Sequence, residues 1–219
     1  MKYNYLLLTI GVFGFLNAQS QTDSSKTTLD EFEVTTTRVG EKSPVAHENI
    51  SKEEIEVNNH GVDLPILLDQ ATSVVTTSDA GAGVGYTGIR VRGSDATRVN
   101  VTINGIPFND AEGQGVYWVN MPDLSSSTDD IQIQRGIGTS LYGSSSFGGS
   151  INVRTQIQSK SRNIEFSQGL GSYNTSKTRL KYESGKDFGE NISLVMRASS
   201  IGSDSYRKYH GSEQRSMFF

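Results

Sequence analysis

The chain has 219 residues, enough for one ordinary domain with additions. With 34% hydrophobic residues and 23 glycines, it favours short strands and turns over packed helices. A formal charge of -4 leaves no electrostatic footprint for phosphate backbones, so no nucleic-acid partner is expected, and zero cysteines exclude disulfides, thiolate nucleophiles and sulfur-ligated metals.

In chain order, Lys2 gives a positive start, Leu6 to Leu16 is almost wholly apolar, and Asn17, Ala18 and Gln19 follow as a cleavage region. Residues 1–18 therefore read as a secretion signal, because the run is too short for a membrane helix of roughly 20 residues. Residues 19–42 are expected to form a flexible tail: Gln19 to Thr28 is polar and small, and buries too little to offset its ordering entropy. Within that tail, Leu29 to Arg38 is a β-prone decapeptide with Phe32 and Val34 on one side of an extended chain. On pattern alone it is either a partner-binding strand or an edge strand of the domain after it.

Residues 43–156 have the pattern of a compact mixed α+β domain with a small sheet and short helices. Glu53 to Asn59 and Val62 to Gln70 carry helical periodicity, with Pro65 tolerable in a first turn. Alternating runs predict half-buried strands at Ser73 to Thr77, Gly88 to Gly93, Arg98 to Asn104, Ile131 to Arg135 and Ile151 to Arg154, and Asn104-Gly105 is a tight-turn dipeptide.

From residue 157 the texture changes to strands of about ten residues with one apolar face: Asn163 to Leu170, Thr175 to Glu183 and Ile192 to Ile201. The second has Lys177, Arg179 and Lys181 on one side against Ser176, Thr178, Leu180 and Tyr182 on the other. That pattern fits a transmembrane barrel strand or a soluble sheet. Three such strands close nothing, so residues 157–219 are expected to begin a larger, incomplete antiparallel structure.

No catalytic machinery is expected. Gly83-Val84-Gly85-Tyr86-Thr87-Gly88 satisfies the dinucleotide spacing, but the next residues read as strand and leave no helix N-terminus for a pyrophosphate. His47, His60 and His210 stand apart, without metal-ligand spacing. A glycine-punctuated loop with Asp110, Glu112 and Gln114 near Phe108, Tyr117 and Trp118 either binds a polar ligand or is a solvated turn beside core aromatics.

Taken in order, Leu29 to Arg38, Ile89-Arg90-Val91-Arg92-Gly93 and Val101 to Pro107 resemble the TonB box and plug of TonB-dependent outer-membrane receptors. So does the segment Ile131 to Val153, with its Arg135-Gly136, Leu141-Tyr142-Gly143 and Gly148-Gly149-Ser150-Ile151-Asn152-Val153 elements. The resemblance implies a plug inside a barrel of about 22 strands, of which this chain would hold only the first few. It implies active import across the bacterial outer membrane with lipid around the barrel, and no enzyme, metal site or cofactor. By the same likeness, Asp30, Glu31, Phe32, Glu33, Val34, Thr35, Thr36 and Thr37 would add as a strand to periplasmic TonB. Arg92 and Arg135 would pair with barrel-wall carboxylates. Tyr86, Phe108, Asn109, Glu112, Tyr117 and Trp118 would form the ligand-contact pool on outward plug loops. The commonest cargo of the family is a ferric siderophore, with cobalamin, haem or an oligosaccharide as alternatives. An exported β-rich adhesion or binding protein that does not transport is the rival from another class.

Overall fold

A computed structural model describes residues 38–40, 43–137, 146–155, 161–185 and 192–219. The expected signal and the tail apart from residues 38–40 lie outside the described residues, as does Leu141-Tyr142-Gly143.

The first part of the chain is built on a five-stranded sheet in the order β1-β6-β7-β4-β5. These strands are β1 (His47–Ile50), β4 (Val99–Ile103), β5 (Ile106–Pro107), β6 (Thr128–Arg135) and β7 (Gly149–Thr155). Only the β4–β7 pair is parallel. Register aligns Ile50, Ile131, Val153 and Ile103 in one cross-strand row and Ile133, Ile151 and Val101 in the next. Ile131, Ile133, Ile151 and Val153 are fully buried, and each stabilises the fold by about 1.5–3 kcal/mol relative to exposure.

The opposite face differs from the half-buried expectation. Gln132, Gln134, Asn152 and Thr102 are also buried there. A ladder of side-chain bonds runs across the strands, from Gln132 Nε2 to Asn49 Oδ1 at 2.8 Å and from Asn152 Nδ2 to Thr102 Oγ1 at 2.6 Å. Alternation with polar residues reads as a solvent face from sequence, but amides that satisfy one another can be covered as well.

The two predicted helices appear as α1 (Lys52–Asn58) and α2 (Leu64–Leu67), the second tightening into a 3-10 turn over Leu68–Gln70. Ser51 and Glu54 form a reciprocal capping box that starts α1, and Ile55 is its one buried residue. Pro65 sits in the first turn of α2, where its missing donor leaves no bond unmade. Strands β2 (Val74–Ser78) and β3 (Thr87–Val91) make a separate two-stranded ribbon instead of joining the main sheet. The chain reverses directly after β3 through Arg92 and Gly93, whose φ values are 52° and 71°, so β3 cannot continue alongside β4. Gly149 shows why the glycine pair at the start of β7 is needed: a Cβ there would lie 2.5 Å from the Gln134 carbonyl and 3.0 Å from Val91.

The remaining strands, β8 (Arg162–Gly171), β9 (Thr175–Ser184), β10 (Val195–Ser203) and β11 (Ser212–Phe218), form an antiparallel meander in sequence order. The fourth strand was not among those predicted. Lys177, Lys181, Glu183 and Arg197 are buried on the face toward the first region, whereas Ile164, Phe166, Leu180, Met196 and Met217 are exposed on the other. This inverts the usual sense of a sheet in a soluble protein, in which the apolar side is covered.

Candidate functional site

The junction between the α+β region and the meander centres on Asp123. This residue adopts a left-handed backbone (φ 55°) just before a 3-10 turn, Leu124–Ser127, and its side chain is fully buried. Asp123 Oδ1 accepts from Lys177 Nζ of β9 at 2.8 Å and Oδ2 from Arg197 Nη1 of β10 at 3.0 Å. Small hydroxyls complete the network. Ser126 Oγ donates to Asp123 Oδ1 at 2.6 Å, and Arg197 Nε donates to Ser127 Oγ at 2.7 Å. Lys177 Nζ also donates to Asn59 Oδ1 at 2.8 Å, which ties the end of α1 to the same cluster. Burial opposes ionisation of Asp123, but the Lys177 ammonium, the Ser126 hydroxyl and the Arg197 guanidinium outweigh it and hold the carboxyl below its ordinary range.

Sequence reasoning missed Asp123. The available signal was the Lys177, Arg179, Lys181 side of β9: if that face turns inward, it needs a counter-ion from the first region, and Asp123 lies beside three serines small enough for close approach.

A second junction holds the glycine-rich loop 79–86 between β2 and β3. Gly81, Gly83 and Gly85 have φ values of +80°, +73° and +103°. From inside, the Asp63 amide donates to Gly83 O at 2.8 Å, and Asp63 Oδ2 accepts from Gly85 N at 2.9 Å and Thr87 Oγ1 at 3.1 Å. Asp63 Oδ1 is buried without a partner. Burial pushes the Asp63 carboxyl up to about 6, against the Thr87 and Gly85 hydrogen bonds and with help from the Asp123 charge. From outside, Arg207 Nη1 donates to Asp79 O at 2.8 Å, Ser205 Oγ donates to Ala80 O, and the Tyr206 ring packs where a Gly81 side chain would be.

The six residues of the expected ligand pool divide by environment. Tyr86, Phe108 and Tyr117 are exposed, as is Glu112. Tyr86 borders a cavity of about 480 Å³ with Val119, Pro122 and the inward side of β11. Tyr117 lies over Gly113 in the turn that Asp110 organises by accepting from the Glu112 and Gly113 amides. Asn109 instead serves the loop: Oδ1 accepts from Val101 N at 2.7 Å, and Nδ2 donates to Val99 O at 2.9 Å and Gln114 O at 2.8 Å. Trp118 is buried in the apolar core.

Arg92 and Arg135 meet at one corner of the sheet. The Arg92 guanidinium lies against Gly136, and Arg135 Nη1 is 3.6 Å from Glu48 Oε2. Among the described residues, the carboxylates Glu165 and Glu183 of the meander pair within it, with Arg179 and Lys181. Residues Asp30 to Thr37 lie outside the described residues, but their immediate successors are docked. Arg38 pairs with Asp130 and donates through Nε to Asn152 Oδ1 at 2.8 Å. Val39 exchanges two main-chain bonds with the Gln132 amide, at 2.8 and 2.9 Å.

A core domain locked by buried charge to a meander whose outer face is apolar defines a plug held against a barrel-type wall. The TonB-dependent Receptor Plug Domain family matches residues 40–150, just over half of the chain. The chain belongs to this family. It is 32% identical over 163 residues to the vitamin B12 transporter BtuB of Vibrio cholerae serotype O1, covering 74% of this chain and 25% of that protein. It therefore spans about a quarter of the length of the curated relatives it matches. Among solved structures, the alcaligin outer-membrane receptor FauA from Bordetella pertussis shares the fold at a TM-score of 0.64 and 15% identity, over 80% of this chain and 28% of that one. The ferric-catecholate import receptor Fiu from E. coli K12 does so at 0.57 and 19%, over 74% and 22%.

Proposed function

We propose that the protein imports a scarce small ligand across the bacterial outer membrane, driven by TonB. The observation that carries this reading is the wall sheet with its charge turned onto the plug and its apolar side turned out, so that a passage is blocked by a part that must move. Asp30, Glu31, Phe32, Glu33, Val34, Thr35, Thr36 and Thr37 form the strand that TonB captures, and the docked Arg38 and Val39 hand the pull to β6 and β7. Ligand meets Tyr86, Phe108, Glu112 and Tyr117, while Asn109 and Trp118 set the loop that presents them. Arg92 and Arg135 serve a plug–wall pairing at their shared corner.

The cargo we favour is a ferric siderophore, whose flat chelating groups suit aromatic faces. Cobalamin is the second reading, supported by the 32% identity to vitamin B12 transporters. Uptake of a radiolabelled ferric siderophore and of radiolabelled cyanocobalamin, in cells with and without TonB, tests both. Accumulation of one of them only when TonB is present is the expected result. Surface binding with no TonB-dependent accumulation would leave a binding or adhesion protein.

A further inference from the structure

Along the four described wall strands the plug is gripped unevenly, and the uneven grip points to a route. At Asp123 the seam is a buried, fully bonded charge cluster, and at loop 79–86 it is a clasp of main-chain bonds and a packed ring. Between α1 and the strands β8 and β9 the seam is instead a cavity of about 450 Å³, within the range of small-molecule sites. Glu56 and His60 line it from the plug, and Glu165, Ser167, Gly169 and Arg179 from the wall.

We propose that cargo crosses the plug through this cleft, between α1 and β8–β9; the inference rests on the import reading above. Three features support it. Arg179 and Glu165 pair within the wall, Arg179 also donating to Ser167 Oγ at 3.1 Å, and Lys177, which lines the cavity too, keeps Asp123 and Ser126 when it loses Asn59, so α1 can withdraw without leaving them unpaired. Helix α1 has seven residues and only Ile55 buried, and among the described residues the hydrogen bond that ties its end to the wall is that from Lys177 to Asn59. The lining carries both signs of charge with hydroxyl and main-chain groups, a surface that exchanges hydrogen bonds with a polar cargo at little desolvation cost. Opening at Asp123 would strand two buried cations, whereas opening here strands none.

Single cysteines test the route, and residues 1–219 contribute no cysteine of their own. Gly169→Cys is suitable, since a Cβ at that position meets nothing within 4 Å, and Glu56→Cys, exposed on α1, is a handle from the other side. Lys208→Cys, exposed at the far hairpin end, is the control. The protein, expressed from its intact gene in cells with TonB, is treated with a bulky maleimide and assayed with radiolabelled cyanocobalamin and a radiolabelled ferric hydroxamate. The expected result is loss of uptake, with surface binding retained, after labelling at Gly169→Cys and at Glu56→Cys, and unchanged uptake after labelling at Lys208→Cys. Uptake that persists with both cleft positions labelled overturns the route and leaves import standing. Loss of surface binding together with uptake also overturns it, since the cleft would then serve the bound state and not passage. Unmodified wild-type cells that accumulate neither probe overturn the import reading, and the route with it.

Discussion

The two large sheets use the same two-residue alternation in opposite senses. In the plug sheet, Ile131, Ile133, Ile151 and Val153 face a dry core, and polar side chains on the other face are covered too, bonding across the strands. In the meander, Lys177, Lys181 and Arg197 face inward, and Ile164, Phe166 and Leu180 face out. Alternation therefore fixes which residues share a face, but not which face is covered. That is decided by what lies on each side: a buried counter-ion at Asp123 on one and, under the import reading, lipid on the other.

The contrast can be broken most forcefully at Asp123. Asp123→Ala removes the anion and leaves Lys177 and Arg197 buried with only hydroxyl and amide partners, at a cost of about 3–5 kcal/mol. Urea unfolding of the intact protein should register it as a lowered midpoint. The outer face gives the next largest effect. If it meets lipid, Phe166→Arg costs about 2–4 kcal/mol near the bilayer midplane, whereas on a water-facing surface the same change stays within about 0.5 kcal/mol. Unfolding titrations of protein reconstituted in lipid vesicles distinguish the two.

Asp63 adds a pH dependence within the plug. Its folded value of about 6 is raised above the ordinary 3.8, so its contribution to stability is full below the ordinary value and is lost as pH rises through 6. Between pH 4 and pH 8 the wild type should lose about 2.5 kcal/mol that Asp63→Asn does not lose. Comparing urea midpoints of the two proteins across that range isolates the effect. The smallest change is local to α1: Ser51→Ala removes half of the capping box and should cost about 1 kcal/mol, seen as faster amide exchange in the first turn of the helix.

Much of the plug was legible in the sequence because its signals are local. The helical periodicity of α1, the Asn104-Gly105 turn and the apolar alternation of β4, β6 and β7 each depend on neighbours within a few positions. The ribbon β2–β3 was legible as strands but not as a separate sheet, because the left-handed Arg92 that reverses the chain is not a residue type that announces such a conformation. Strand β1 was missed: it is four residues long and gains its place by pairing with β6, more than eighty positions away. The same holds for the site. Exposed aromatics on loops can be named from sequence, but Asn109 looks identical whether it faces a ligand or bridges Val99 and Val101. Asp123 becomes visible only once two strands more than fifty residues later are laid against it.

On the import reading proposed above, the segment preceding the docked Arg38 and Val39 is captured by TonB as an added strand. Binding of the C-terminal domain of TonB to the intact protein, wild type against Val34→Pro, tests it most directly, because proline removes a donor from the added ladder. Binding by the wild type that is lost in the variant is the expected result. Equal binding by both, or none by a folded wild-type protein that holds its ligand, would contradict it.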